Sequence, residues 1–407
     1  MQHKFGALDL IRAGLQDLDR ARTLFDELHN DGIDDDRMRL LLATLEKACD
    51  PDIALSNLVD IIKVMQSQGK DFTNIIADEN SFVRLITVLG VSDEMGKLMR
   101  FRPELVEAAA NDACESHLYN HEQRKAHVLK SVGADPNDHA MPTASLPLAE
   151  AATALRKTYR KQLAAIMAQD ATANDPIEIQ PRISTELSDL ADAALEGALA
   201  IARHEVDGSE HVRFAIIGMG KLGAQELNYV SDVDLIYVVE PADMDTNGMA
   251  LSRIGTKIAT TLQRVCQSVI MGVAEPTLWQ IDGGLRPEGK DGPLVRRLES
   301  HEAYYEQWAE NWEFQALLKA RPVAGDTDLG QAYMDMTRPF VWTASKRDNF
   351  VYDCQQMRKR VEDLIPNPLK DREIKLGRGG LRDVEFTVQM LQLVHGRSDE
   401  ALRTSST

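Results

Sequence analysis

One change of pattern limits the folds open to this chain more than anything else. Up to about Asp207 apolar residues recur at helical spacing; beyond it the chain reads Val212 to Ile217 (VRFAII), Gly218 to Gly223 (GMGKLG), then Val233 to Val239 (VDLIYVV). Short β-branched apolar runs divided by glycines are strands around a tight turn. Strand patterns confined to the middle of a helical chain predict a mostly helical α+β fold with a small mixed β-sheet core. The corresponding division is a helical region over 1–207, the sheet core over 208–299 and a second helical region over 300–407.

Size and charge narrow the functional classes. The chain has 407 residues, room for two or three domains at roughly 150 residues each. Lys plus Arg number 46 against 64 Asp plus Glu, a formal charge of −18. That balance argues against a non-specific nucleic-acid binder or an anionic-membrane binder, which need a basic face. Cys49, Cys114, Cys266 and Cys354 form no CxxC pair, so free thiols in a reducing cytosol are expected. No apolar run approaches the roughly 20 residues of a membrane span. Asp9 and Arg12 interrupt any signal-like stretch at the start. A cytoplasmic protein with no membrane or nucleic-acid partner follows. His117 and His121 stand at i,i+4 with Cys114 and His127 nearby, but without HExxH or a closed ligand quartet they make no metal motif.

Several helical segments have readable limits. Leu8, Ile11, Leu15, Leu18 and Phe25 predict one apolar face, and Asp34 to Asp36 predict a loop and cap before Met38. Ser81 is placed as the cap of a helix carrying Phe82, Leu85, Ile86 and Leu89. Long helices are expected over Leu148 to Met167 and Leu187 to Ala202, with a loop over Thr172 to Pro181 between them. Lys221 to Tyr229 reads as a short helix, Met249 to Ile270 as a long one. Thr277 to Ile281 and Leu294 to Leu298 read as strands. Helix resumes from His301 to Leu318 and breaks at Arg321 to Asp326 and at Pro366 to Gly380; in it Trp308 and Trp312 read as core.

The strongest chemical signal is Gly220-Lys221-Leu222-Gly223 followed, after eight intervening residues, by Asp232-Val233-Asp234. Backbone N–H groups of a glycine turn can face a phosphate. Side chains alternate along a strand, so residues 232 and 234 share a face. Two neighbouring carboxylates repel unless a cation lies between them, and Mg²⁺ prefers such hard oxygens. The layout is that of a two-metal nucleotidyl-transfer site. Ser231 fits beside it, and Asp282, at the end of TLWQID, is the expected third carboxylate. A rival reading is a dinucleotide fingerprint, because Gly218, Gly220 and Gly223 match G-x-G-x-x-G and Glu240 lies 22 residues beyond Gly218. Against it stand the short connection between the strands and an Asp pair that such a fold does not use.

Two further segments carry basic residues. In LRPEG, Arg286 follows Asp282 by four positions, within reach of a phosphate. In KLGRGGLRDVEF, Lys375, Arg378 and Arg382 with three glycines precede a helix whose first turn carries Asp383 and Glu385. Lys319 and Arg321 end the preceding helical stretch and are further candidates.

Together, GMGKLGAQELNYVSDVDL, IDGGLRPEGKDGPLV, YYEQWAENWEFQALLKARPVAGD and IKLGRGGLRDVEFTVQMLQLVHG resemble the glutamine synthetase adenylyltransferase/deadenylylase family of the polymerase-β-like nucleotidyltransferase superfamily. The resemblance is dense from about Leu155 to Thr407. It implies Asp232, Asp234 and Asp282 as metal-binding carboxylates for Mg²⁺. It implies Gly218, Gly220, Lys221, Ser231 and Arg286 at the phosphate and nucleotide. Gly284 stands where the family often has Arg, and Ala224 replaces a common Gly. The family pairs two such sites: one transfers AMP from ATP to a tyrosine of glutamine synthetase, the other removes it with phosphate to give ADP. The helical lead before this site resembles that of the removing half, with adenylylation by the same site as the alternative. A PII-type signal protein is the implied regulator. The end at ALRTSST implies a fragment whose second helical region is cut short. A nucleotide-sensing module with a decayed site would lack the carboxylates, and all three are present.

Overall fold

The computed structural model describes residues 5–70, 72–110, 119–243 and 247–407. Cys114 and His117 lie outside the described residues. Two units form: residues 1–124 with 157–186, and residues 125–156 with 187–407.

The first unit is helical. It contains α1 (Ala7–Arg12), α2 (Leu18–Asn30), α3 (Asp35–Leu45), α4 (Pro51–Ser67), α5 (Thr73–Ala77), α6 (Glu79–Val91), α7 (Asp93–Phe101) and α8 (Pro103–Ala110). Each start has a chemical cause. The side chains of Asp17, Asp34, Asp50, Asp78 and Ser92 accept the backbone N–H three residues on and so cap α2, α3, α4, α6 and α7. Asp78, not Ser81, caps α6; Ser81 instead supplies the N–H that Asp78 accepts. Leu41, Leu55, Leu58, Phe82, Leu85 and Val106 are buried in one apolar core. Leu8 and Ile11 are exposed, and Leu10 takes the core position expected of them, because α1 ends at Arg12 and its spacing does not run on to Leu15.

Three helices follow: α9 (His121–Ser131), α10 (Leu148–Ala171) and α11 (Pro176–Glu205). α11 begins inside the expected loop, with Pro176 at its start and Pro181 tolerated in its second turn.

The second unit holds the sheet. Its strands are β1 (Val212–Gly218), β2 (Val233–Pro241), β3 (Ile281–Asp282), β4 (Val295–Arg296) and β5 (Arg321–Gly325), in the order β3-β2-β1-β5 with β4 also on β2. β1 and β2 are antiparallel, with Gly218 opposite Leu235. β2 and β3 are parallel, with Asp234 opposite Asp282. A dinucleotide βαβ unit needs parallel strands, so the antiparallel β1–β2 pair removes that rival reading.

Both faces of the sheet are covered. Ala215, Ile217, Ile236 and Val238 pack with Tyr305, Phe314 and Tyr333. On β2 lies α13 (Gly248–Gln267). A Cβ at Gly255 would sit 3.0 Å from Val239 Cγ1, which shows how closely the helix approaches.

Four sequence expectations shift here. The helix after Gly220 is a single turn, α12 (Gly220–Gly223), because Gln225 takes a left-handed φ of 57°. Of Thr277 to Ile281, only Ile281 joins a strand; Leu278 N–H instead donates to the Cys266 carbonyl near the end of α13. The helix expected from His301 to Leu318 is two, α14 (Leu298–Gln307) and α15 (Asn311–Leu317), with Trp308 at the break, 74% exposed rather than core. Glu310 and Glu313 start α15 afresh as a capping box. The break at Arg321 to Asp326 is strand β5, paired to β1; its Pro322 suits an edge strand. α16 (Thr327–Thr343), α17 (Phe350–Asp363) and α18 (Leu381–His395) complete the unit. No helix among the described residues is long and apolar enough to cross a membrane.

Candidate active site

The glycine turn is fixed to the Asp strand by its backbone. Met219 N–H donates to the Asp234 carbonyl at 2.8 Å. Gly220 has φ 53°, where glycine alone is unstrained, and a Cβ there would lie 2.5 Å from Asp234 Oδ2. Gly223 is required by a close approach as well, since its Cβ would meet the Lys319 carbonyl at 1.9 Å. At Gly218 a Cβ would strike Val323 Cγ1 at 2.7 Å. These glycines bring the turn against the carboxylate that opens β2.

A cavity of about 320 Å³ lies at this point, lined at one end by Gly220, Lys221, Ser231, Asp232, Asp234 and Arg382. That volume is within the range of small-ligand sites. Lys375, Lys319 and Glu385 also line it. Burial, then the charges of Asp232 and Asp282, push the Asp234 carboxyl up to about 6, and Arg382 and Lys375 pull it back. Asp282 reaches the group through the register of β3 on β2, while its Oδ1 accepts the Gly284 N–H at 2.7 Å.

Three crowded carboxylates, one of them raised by its neighbours, are a donor set short of positive charge, and hard oxygens suit Mg²⁺. Their ligand atoms do not all lie within 4.8 Å of one another. The residues present fit a divalent cation by the chemistry of their donor set.

The basic candidates divide. Lys375 and Arg382 face the cavity, with Arg382 paired to Glu385 at 3.1 Å. Lys221 Nζ lies 3.2 Å from the Asn228 side-chain amide and donates to its oxygen once that amide is turned to face it. Lys319 is buried and paired to Glu226 at 2.7 Å. Arg321 is paired to Asp192 at 2.6 Å and donates to the Leu222 and Gly223 carbonyls, so it holds the end of the glycine turn from behind. Arg286 donates to the carbonyls of Gly283, Lys290 and Gly292 and is absorbed by its own loop. Asp383 accepts from Arg358 and from the Gly379 N–H. Arg378 acts on Asp383 through its charge and does not line the cavity.

Sequence reasoning missed the other end of the cavity. Trp312 and Gln315 of α15, Met357 and Val361 of α17, and Phe386 and Gln389 of α18 form it. The available signal was three-residue spacing: Trp312 with Gln315 and Phe386 with Gln389 each mark one helical face.

Comparison with known proteins shows the family. The family model for glutamate-ammonia ligase adenylyltransferase matches residues 82–336, and one for GlnD PII-uridylyltransferase matches residues 355–406. The bifunctional glutamine synthetase adenylyltransferase/adenylyl-removing enzyme of Bifidobacterium longum (strain DJO10A) is 76% identical over 404 residues, covering 99% of this chain and 38% of the relative. The protein of the same description from Cutibacterium acnes is 43% identical over 401 residues, 98% of this chain and 40% of the relative. The one from Streptomyces avermitilis is 41% identical over 402 residues, 98% of this chain and 38% of the relative. The chain thus spans about two fifths of the length of the curated relatives it matches. Because the first match takes in β1, the glycine turn and all three aspartates, the chain belongs to the glutamate-ammonia ligase adenylyltransferase family.

Proposed function

We propose that this chain carries out nucleotidyl transfer on glutamine synthetase, removing AMP from an adenylylated tyrosine with inorganic phosphate and releasing ADP. The observation that carries the reading is the cavity lined by Asp232 and Asp234 together with Lys375 and Arg382, with Asp282 paired beside Asp234. Such a site binds a phosphoryl group and gathers charge around its oxygens. The substrate follows from the printed description of the relatives. The direction is supported by the helical lead before the sheet, which resembles the removing half. Residues 208–299 are the catalytic core, and the helices of 300–407 supply the opposite wall. A PII-type regulator and a cytosolic setting belong to the same proposal.

In that reaction a phosphate oxygen attacks the α-phosphorus, and the bond from phosphorus to the tyrosine oxygen breaks. Its electron pair leaves on the tyrosine oxygen, which takes up a proton. A phenol with a pKa near ~10 is a tolerable leaving group without a strong general acid. Arg382, Lys375 and Lys221, all in the cavity lining, hold the anionic phosphates against the aspartates. Mg²⁺ held by Asp232, Asp234 and Asp282 would supply charge neutralisation at the phosphoryl oxygens.

The test is incubation of the chain with adenylylated glutamine synthetase, Mg²⁺ and labelled phosphate. Labelled ADP is expected. Efficient AMP addition from ATP with no phosphate-dependent ADP would reverse the direction, and neither product would sink the proposal.

A further inference from the structure

The part of the cavity lined by α15, α17 and α18 has a polar device of its own. Gln315 of α15 and Gln389 of α18 both line it, and both are buried, at 3% and 8% exposed. Gln315 Nε2 donates to Gln389 Oε1 at 2.8 Å. That bond fixes the pair, and it leaves Gln315 Oε1 buried without any hydrogen-bond partner. A desolvated acceptor with no donor is unfavourable, and native interiors rarely keep one without cause. Around the pair stand Trp312, Phe386 and Met357, flat or adaptable apolar groups suited to a planar ring.

A nucleobase is the planar group that must accompany a phosphate in this site. Adenine offers an exocyclic amine as donor beside a ring nitrogen as acceptor, and glutamine amides pair with that edge. Guanine presents an oxygen acceptor where adenine has its amine, so it would set one acceptor against another. The amide pair offers the complement of adenine: an unused acceptor on Gln315 and, with its oxygen engaged, the Nε2 donor of Gln389.

We propose that Gln315 and Gln389 read the base of the bound nucleotide and select adenine over guanine. Because Gln315 Oε1 is closed off as it stands, the Gln315 side chain turns on binding so that Oε1 accepts from the exocyclic amine, and Gln389 Nε2 donates to the adjacent ring nitrogen. The base then lies between α15, α17 and α18, and the phosphates point to Asp232 and Asp234. The inference rests on the nucleotidyl-transfer reading above and adds the residues that set base specificity.

Calorimetric titration of the full chain with ADP and with GDP, each with Mg²⁺, tests it. The unaltered chain is expected to bind ADP at least about 10-fold tighter than GDP. Gln315→Met removes the acceptor and keeps the bulk; it should bring the ratio towards one, mainly by weakening ADP. Gln389→Glu keeps the oxygen that accepts from Gln315 and removes the donor, so it should lower the ratio too. It decides the matter if Gln315→Met loses its folded circular dichroism. A purely structural bridge between α15 and α18 would change stability and leave the ratio alone; that outcome overturns the proposal. Equal affinity for ADP and GDP in the unaltered chain overturns the base reading while leaving the nucleotidyl site standing. No binding of either nucleotide overturns both.

Discussion

Two glycine- and arginine-rich loops approach the same site and are held in opposite ways. The loop over residues 283–292 (GGLRPEGKDG) turns its arginine inward. Arg286 bonds the carbonyls of Gly283, Lys290 and Gly292, so the guanidinium closes the loop on itself. The loop over residues 375–382 (KLGRGGLR) has its carbonyls served from outside. Arg358 of α17 donates to the carbonyls of Leu376 and Gly377 at 3.0 Å and pairs with Asp383. With that work done by another element, Lys375 and Arg382 are left to face the cavity. An arginine in a glycine loop therefore serves a ligand only when something else satisfies the loop's backbone.

The two loops differ in function only if chemistry happens beside Asp232 and Asp234, where substitution should have the strongest consequence. Asp232→Asn or Asp234→Asn should lower turnover by about 10³-fold or more while leaving the fold intact, since each removes a carboxylate proposed to hold the cation. Near-normal activity of either variant with Mg²⁺ would remove the centre around which the two loops are being compared.

The next effect separates the loops directly. Arg382→Ala should weaken ADP binding by roughly 10–100-fold, the value of one charge-assisted contact, with little change in melting temperature. Arg286→Ala should do the reverse, costing about 2 kcal/mol of stability because it leaves loop carbonyls unpaired, with ADP affinity changed by less than about 3-fold. Parallel calorimetry and thermal melts on both variants check this; exchanged phenotypes would mean that Arg286, not Arg382, meets the ligand.

Much of the site was legible because its residues are close in sequence. The glycine turn, Asp232 and Asp234 lie within one strand–turn–strand segment, and strand alternation alone puts the two carboxylates together. Asp282 was legible as the end of an apolar run, although only two residues of that run form a strand. The antiparallel partner β5 was not legible, since Arg321–Gly325 has Pro322 and alternates poorly; its pairing to β1 comes from tertiary context. The amide pair was invisible for a similar reason. Gln315 and Gln389 lie 74 positions apart and meet only once α15 and α18 pack. Arg286 and Arg382 look alike in sequence because the deciding residue, Arg358, lies on a helix with no local mark of its role.

The smallest effect concerns what titrates. Hydrogen bonding to Arg358, then to the Gly379 N–H, holds the Asp383 carboxyl below its ordinary range. A lowered acid favours the folded state when charged. Its contribution is therefore complete above the unfolded carboxylate value, near ~3.9, and is lost as the pH falls through the folded value. Arg286 bonds only carbonyls, which do not titrate; of the two acids in its loop, Asp291 is exposed and Glu288, half exposed, pairs with Arg296 outside the loop. Lowering the pH below about 4 should thus loosen residues 375–382 before residues 283–292. Amide hydrogen exchange, corrected for the intrinsic rate at each pH, should show protection falling in the first loop and holding in the second. Asp383→Asn should make exchange at 375–382 faster at neutral pH and insensitive to acid. If both loops lose protection together, or the variant keeps the acid response, the second loop is not held by the Arg358–Asp383 pair, and another cause must free Lys375 and Arg382 for the cavity.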